Sequence, residues 1–309
     1  MRKMMGLIRA ELLQHRASMI ITPLVIAGLI AAFALAQLIF GTAGLNINFG
    51  DIDIAIDNDT IVDPQSFQKA GKTIAASFGF IGLPIYFVAN LVAFFVMLYA
   101  LYEERTERTI LFFKSMPVSD TQVVLAKYLT ASFIGPLIAI VVMILLTLVL
   151  SVATATVFSV RGIANIWGFL GDLPLLRLFI SFAGYYSLYA LWVAPIFAYL
   201  LMMSALAPRS PFLLALLPVA IIVLAEAILL GSGWLLNEIG ARVIAERLGD
   251  AIRASRSLSE AGAQSGFDAF FIRFSDFVMT ASAPGFWLGL LCAAGFVAVA
   301  IWSRSRKTL

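Results

Sequence analysis

Residues Glu103–Lys127 read EERTERTILFFKSMPVSDTQVVLAK, with long apolar segments on both sides. This stretch holds eight charges: Glu103, Glu104, Glu107 and Asp120 against Arg105, Arg108, Lys114 and Lys127. Its centre, Ile110–Phe113, is nonetheless apolar. A plain connector between two membrane helices has no need of an apolar knot in water, whereas a short helix that docks into a partner's groove does. Pro117 disfavours helix at Met116, and Ser119 with Gln122 three residues on forms a capping box. The expected order is helix, break, helix, with the second helix running into the next apolar segment.

The solvent of the remaining chain follows from its composition. Of 309 residues, 61% are hydrophobic and 13% charged, whereas an ordinary soluble domain is about 25% charged. So few charges cannot cover a water-facing surface, and lipid must surround much of the molecule. Cys292 is the single cysteine, so a disulfide framework is excluded.

Crossing about 30 Å of hydrocarbon takes about 20 helical residues. Six segments qualify: Met19–Phe40, Phe78–Tyr102, Tyr128–Phe158, Leu178–Leu206, Phe212–Ser232 and Ala283–Trp302. The fold class is therefore an all-α integral membrane protein with six transmembrane helices, a single transmembrane domain over 1–309. Ahead of the first span, Met4, Leu7, Ile8 and Leu12 recur at helical spacing among charges, so residues 1–18 read as an amphipathic helix at the membrane surface. The 22-residue run Met19–Phe40 exceeds the roughly 7–15 residues of a signal-peptide core, and an uncleaved first span is expected.

Lys and Arg fix the expected orientation. Segments 1–18, 103–127, 207–211 and 303–309 hold 12 basic against 5 acidic residues; segments 41–77, 159–177 and 233–282 hold 9 against 12. The first set is assigned to the cytoplasm, with both termini, and 41–77 and 233–282 become extracytoplasmic loops. Within them, alternation over residues 45–56 predicts short strands. Leu235, Ile239, Val243, Leu248 and Ile252 predict one amphipathic helix, and Phe267 to Val278 a second, giving a helical outer insertion before the last span.

Candidate chemistry is sparse. Glu103, Glu104 and Arg108 match the EExxxR pattern of CAAX-type membrane proteases, but that chemistry needs further histidines, and His15 is the only one. Ala70-Gly71-Lys72-Thr73 resembles the end of a phosphate-binding loop, yet Ser66 stands where its first glycine belongs. Asp51, Asp53, Asp57 and Asp59 offer oxygen ligands for calcium without a glycine or distal glutamate to complete an EF-hand. No site for a metal or cofactor is therefore assigned to this chain. Glu226 is placed midway along the fifth span, where a carboxylate must face protein or water. It and Asn90 in the second span are candidates for lining a path; a buried helix contact is the alternative for Glu226. Phe182, Tyr185, Tyr186, Tyr189 and Trp192 stripe the fourth span as packing or as a substrate wall, and Gly285-x-x-x-Gly289 fits close helix packing.

Ser115-Met116-Pro117-Val118-Ser119 with Lys127, following the charged and apolar run before it, resembles the cytosolic loop of ABC-type exporter permeases of the type-2 class. The six-span layout, an amphipathic elbow helix with Glu11 and Arg16, and the outer insertion are similar to the same family. The resemblance implies two permease chains, as a homodimer, in the inner (plasma) membrane, and two copies of a separate ABC ATPase subunit that bind Mg-ATP. It implies a cytosolic coupling helix at about Arg105 to Ser115. Leu111, Phe112 and Phe113 would be its apolar anchors, with Glu104, Arg105, Arg108 and Lys114 as rim charges. It also places Asn90 and Glu226 on spans beside the transport path. Lipid is the other partner, and no nucleic acid is expected. Two other readings stay open at this point: an ion-coupled secondary transporter using Glu226, and a non-transport membrane protein of the same architecture.

Overall fold

The computed structural model describes residues 2–40, 47–49, 52–54, 64–107, 118–160, 175–243 and 284–306. The helices are α1 (Arg2–Gln14), α2 (Thr22–Phe40), α3 (Pro64–Thr106), α4 (Asp120–Leu129), α5 (Gly135–Val160), α6 (Leu175–Trp192), α7 (Ala194–Leu206), α8 (Pro211–Leu229), α9 (Trp234–Val243) and α10 (Pro284–Arg306). A small antiparallel hairpin pairs β1 (Ile47–Phe49) with β2 (Ile52–Ile54), Asn48 opposite Asp53, as the alternation in that loop predicts. Five helical segments among the described residues are long and apolar enough to cross a membrane, and a sixth if one bent pair counts as a single span. The protein is an all-α integral membrane protein.

The bent pair corrects the fourth expected span. It is not one straight helix: α6 ends at Trp192, α7 starts at Ala194, and the axes differ by 53°. Pro195 is the physical reason, since it cannot donate to the carbonyl one turn back. Residues 64–77, expected as loop, are instead the first turns of α3. At 43 residues that helix runs about 64 Å, against about 30 Å of hydrocarbon. The Ala70–Thr73 stretch is thus helical and forms no phosphate-binding loop.

Two short π-helical segments, Ala17–Ile21 and Thr130–Ile134, interrupt the passage from α1 to α2 and from α4 to α5. A π segment shifts the backbone ladder to i→i+5, and side chains add hydrogen bonds to its carbonyls. The Tyr186 hydroxyl donates to the Ser132 carbonyl, and Thr22 Oγ1 to that of Ala17 at 3.2 Å.

Helix α7 is the hub of the bundle. Phe197, Leu200 and Leu201 join Met97, Leu98 and Leu101 of α3 and Ala300 of α10 in the main core, while Ala194 and Ala198 meet Ala293 of α10. Small residues one turn apart let these helices approach closely. A second core unites α2, α3 and α5 through Ala27, Ile85, Ala89, Val142 and Leu146. Helix α1 lays Leu7 and Ile8 on Val123 and Ala126 of α4. Helix α8 packs least: Leu224 and Ile228 are 61% and 72% exposed, and such a surface needs lipid or another apolar chain against it.

Candidate functional site

The ends of α3 and α4 that flank residues 108–117 meet α1 and the last turn of α10 at the end of the bundle carrying both termini. Four elements bring charges there by their local structure. Glu104 lies in the last turn of α3, and Asp120 opens α4 just after its N-cap. Ser119 caps that helix by the expected box, Ser119 Oγ accepting from the Gln122 amide and Gln122 Oε1 from that of Ser119, each at 3.3 Å. Lys127 stands two turns on, Glu11 is one turn from the end of α1, and Arg304 is in the last turn of α10.

These side chains form one buried chain of ion pairs. Lys127 Nζ lies 2.6 Å from Glu11 Oε1 and 3.3 Å from Glu104 Oε1. The Arg304 guanidinium donates through Nη1 to Glu104 Oε2 and through Nε to Asp120 Oδ1, the latter at 3.0 Å. Lys127, Glu104 and Arg304 have side chains only 2–3% exposed. Arg304 therefore grips both flanks of the 108–117 segment at once, Glu104 on one side and Asp120 on the other. Lys127 links the same Glu104 to α1.

His15 sits at the edge of this cluster, its Nε2 4.0 Å from Glu11 Oε2 and buried with no hydrogen-bond partner among the described residues. Burial holds its pKa below the usual 6.5, outweighing the upward pull of Glu11. The three carboxylates outnumber the two cations, and a neutral imidazole leaves the cluster one charge short of balance.

Arg105, the neighbour of Glu104, points to a different element. Its Nη2 donates to the carbonyls of Ser204 and Ala207 at 2.7 and 2.9 Å, so a cation closes the C-terminal end of α7. Ser204 Oγ in turn accepts from the amides of Leu101 and Tyr102, and the Tyr102 hydroxyl donates to the Arg209 carbonyl at 2.6 Å. The α7–α8 hairpin is thereby fixed to the end of α3.

Two residues of the expected docking set, Glu104 and Arg105, belong to the last turn of α3, and both make contacts within the chain, because a charge at a helix junction is stabilised there by pairing rather than by water. Arg108, Leu111, Phe112, Phe113 and Lys114 lie outside the described residues, as do Met116-Pro117, the amphipathic stretch 267–278 and all of the acidic loop cluster except Asp53. Asn90 is half-buried. Its Nδ2 donates to the Tyr86 carbonyl at 2.9 Å, while its Oδ1 is buried without a hydrogen-bond partner among the described residues. Tyr86 meets Tyr186 and Tyr189 edge-to-face beside it, which makes part of the aromatic stripe an interhelical contact.

Glu226 is not midway in its span. Helix α8 ends at Leu229, three residues later, and Gly231 turns the chain at φ +60°. The exposed Glu226 carboxylate accepts from Ser232 Oγ at 2.6 Å and from the amides of Trp234 and Leu235 at 2.6 and 3.0 Å. It caps the N-terminus of α9, a place where a negative charge is favoured.

The residues that sequence reading missed are Glu11, Lys127 and Arg304 as a unit. Each is visible as a charge next to an apolar run, but Glu104 and Arg304 are 200 positions apart, and no local pattern announces such a pair.

Two outcomes test the cluster. Removing one partner of a buried ion pair costs about 3–5 kcal/mol, while replacing both together costs much less. Arg304→Met should therefore lower unfolding stability in detergent by about 3 kcal/mol or more, and adding Glu104→Leu should recover part of that loss; equal or additive losses would refute the pairing. Because His15 binds its proton less readily when folded, its contribution is fully present above about pH 6.5 and lost as pH falls below it. Melting at pH 5 against pH 7.5 should show a loss that His15→Gln reduces, and an unchanged loss in the variant would remove His15 as the cause.

A family model described as ABC-2 family transporter protein matches residues 7–217, from α1 into α8. No curated protein and no solved structure matches the chain. The matched span covers well over half of the 309 residues and contains every residue of the cluster except Arg304; the chain belongs to the ABC-2 transporter family, as a multi-pass membrane permease.

Proposed function

We propose that this chain is the membrane subunit of an ATP-driven exporter and does no catalysis of its own. Two copies form a homodimer in the inner (plasma) membrane with both termini in the cytoplasm, and two ABC ATPase subunits bind and hydrolyse Mg-ATP beneath them. Residues 1–18 are the elbow helix, and the two half-helices α6 and α7 together make the fourth of six spans.

The observation that carries this reading is the double grip of Arg304 on Glu104 and Asp120. It ties both flanks of residues 108–117 to one side chain on the last span, and Lys127 ties them to the first helix. A partner that pushed on that segment would act on two helix ends already joined to each other. The excess of Lys and Arg in the segments at this end supports a cytoplasmic location, where nucleotide is found.

Within the segment, Leu111, Phe112 and Phe113 dock in a groove of the ATPase, with Arg108 and Lys114 around them. Buried aromatic anchors carry most of such contacts. Asn90 faces the substrate path, supported by its buried and unsatisfied carbonyl oxygen. Glu226 is given no proton-carrying role, since both its oxygens are occupied in capping α9. The test is co-purification of the ATPase. Phe112→Asp with Phe113→Asp should abolish it while the variant chain melts like the unaltered one, and a complex that survives both changes would refute the docking assignment.

A further inference from the structure

At the end of the bundle away from the termini, another buried cation sits in the break of the bent span. In an unbroken helix the Trp192 carbonyl would accept from the amide of Ile196. Here that amide bonds Val193 instead, at 2.9 Å, and Pro195 has no amide to give. The Trp192 carbonyl is left over, and Arg242 of α9 fills the vacancy through Nη1 at 3.1 Å.

The same guanidinium donates through Nη2 to the Gly285 carbonyl at the start of α10, at 2.9 Å, and through Nε to Glu238 at 3.0 Å. Its Cζ stands 4.9 Å from the centre of the Trp192 ring, which stacks at 15° on Phe286 of α10. Arg242 is only 9% exposed. Gly289 provides the space: a Cβ there would lie 2.5 Å from Arg242 Nη1 and 3.2 Å from Cζ. The Gly285-x-x-x-Gly289 pair therefore houses an arginine, and not only the close helix contact expected from sequence. One further bond, from the Tyr189 hydroxyl to the Val243 carbonyl at 3.2 Å, ties α6 to the same helix.

We propose that α9 is a latch on the hinge at Val193, and that Arg242 is its bolt. With the guanidinium in place, α6, α7 and α10 are held to one another at the bent angle. With it withdrawn, the freed Trp192 carbonyl and the Pro195 break leave the two half-helices able to pivot. The seat is polar and shaped to one side chain, so the hinge has two discrete states rather than a continuum of bends. That the pivot opens an exit for cargo rests on the transport reading above; the latch itself does not.

The test uses the full-length chain alone in detergent. Gly289→Ala should lower the melting temperature by several degrees, because its methyl intrudes on Arg242, but should be nearly neutral in an Arg242→Gln background. An equal effect in both backgrounds would overturn the seating. Spin labels at the exposed Ser187 of α6 and Leu291 of α10, with Cys292→Ser, then report the hinge. Arg242→Gln should broaden that distance distribution or add a second population, while labels at Leu213 and Trp302 near the other end keep theirs and show that the variant is folded. A hinge distribution as narrow as that of the unaltered chain would overturn the latch, and so would broadening of both pairs, since loss of the whole fold is not release of one hinge. If the latch holds but no ATPase binds the chain, the transport reading fails and the latch stands.

Discussion

Four charged side chains removed from water, with a half-buried fifth beside them, set the terms for the rest of the structure from one end of a lipid-facing bundle. Isolated, each would carry a desolvation cost of several kcal/mol. Together, Glu11, Lys127, Glu104, Arg304 and Asp120 alternate in sign along a chain of ion pairs, and the geometry this needs can be met only if α1, α3, α4 and α10 converge. The pairing is therefore less a source of net stability than a statement of which helices must meet and in what register. Lipid offers little driving force for helices to choose partners, since hydrocarbon tails are as apolar as leucine; a polar cluster that tolerates a single arrangement supplies that choice.

The same logic recurs at three places where the backbone leaves regular helix. Within the π segment at Thr130–Ile134, the Ser132 carbonyl accepts from the Tyr186 hydroxyl. The C-terminus of α7 presents carbonyls at Ser204 and Ala207, and Arg105 takes both. The break at Val193 frees the Trp192 carbonyl, and Arg242 takes it. In a medium without water each irregularity requires a partner from the protein. The irregular places are thus where separate helices become tied together, and both ends of the bundle are built on such ties.

How much of this was legible in the sequence divides along the range of the interactions. The apolar segments were readable because hydrocarbon thickness imposes a length, and the Ser119–Gln122 box because a cap acts over three residues. Glu226 was misplaced because the apolar run continues past it through Leu230, so only the turn at Gly231 reveals that its helix has already ended. The bent span hid behind an uninterrupted apolar count, although Pro195 stands in plain sight. Arg242 looked like one basic residue among several in an outer loop, and Arg304 like a positive charge flanking the last span. Their roles depend on partners tens to hundreds of positions away, which no periodicity encodes. The aromatic anchors of residues 108–117 rest on local composition and family resemblance, and the structure adds the braced flanks on either side of them.

The most direct measurement is the spacing of those flanks. Spin labels at the exposed Thr106, the last residue of α3, and Thr121, the second of α4, in a chain carrying Cys292→Ser, report it by pulsed electron resonance. If the charge cluster is the brace, the unaltered chain gives one narrow distance, and Arg304→Gln broadens it while the α7–α10 core stays folded. A distribution equally narrow without Arg304 would contradict the account.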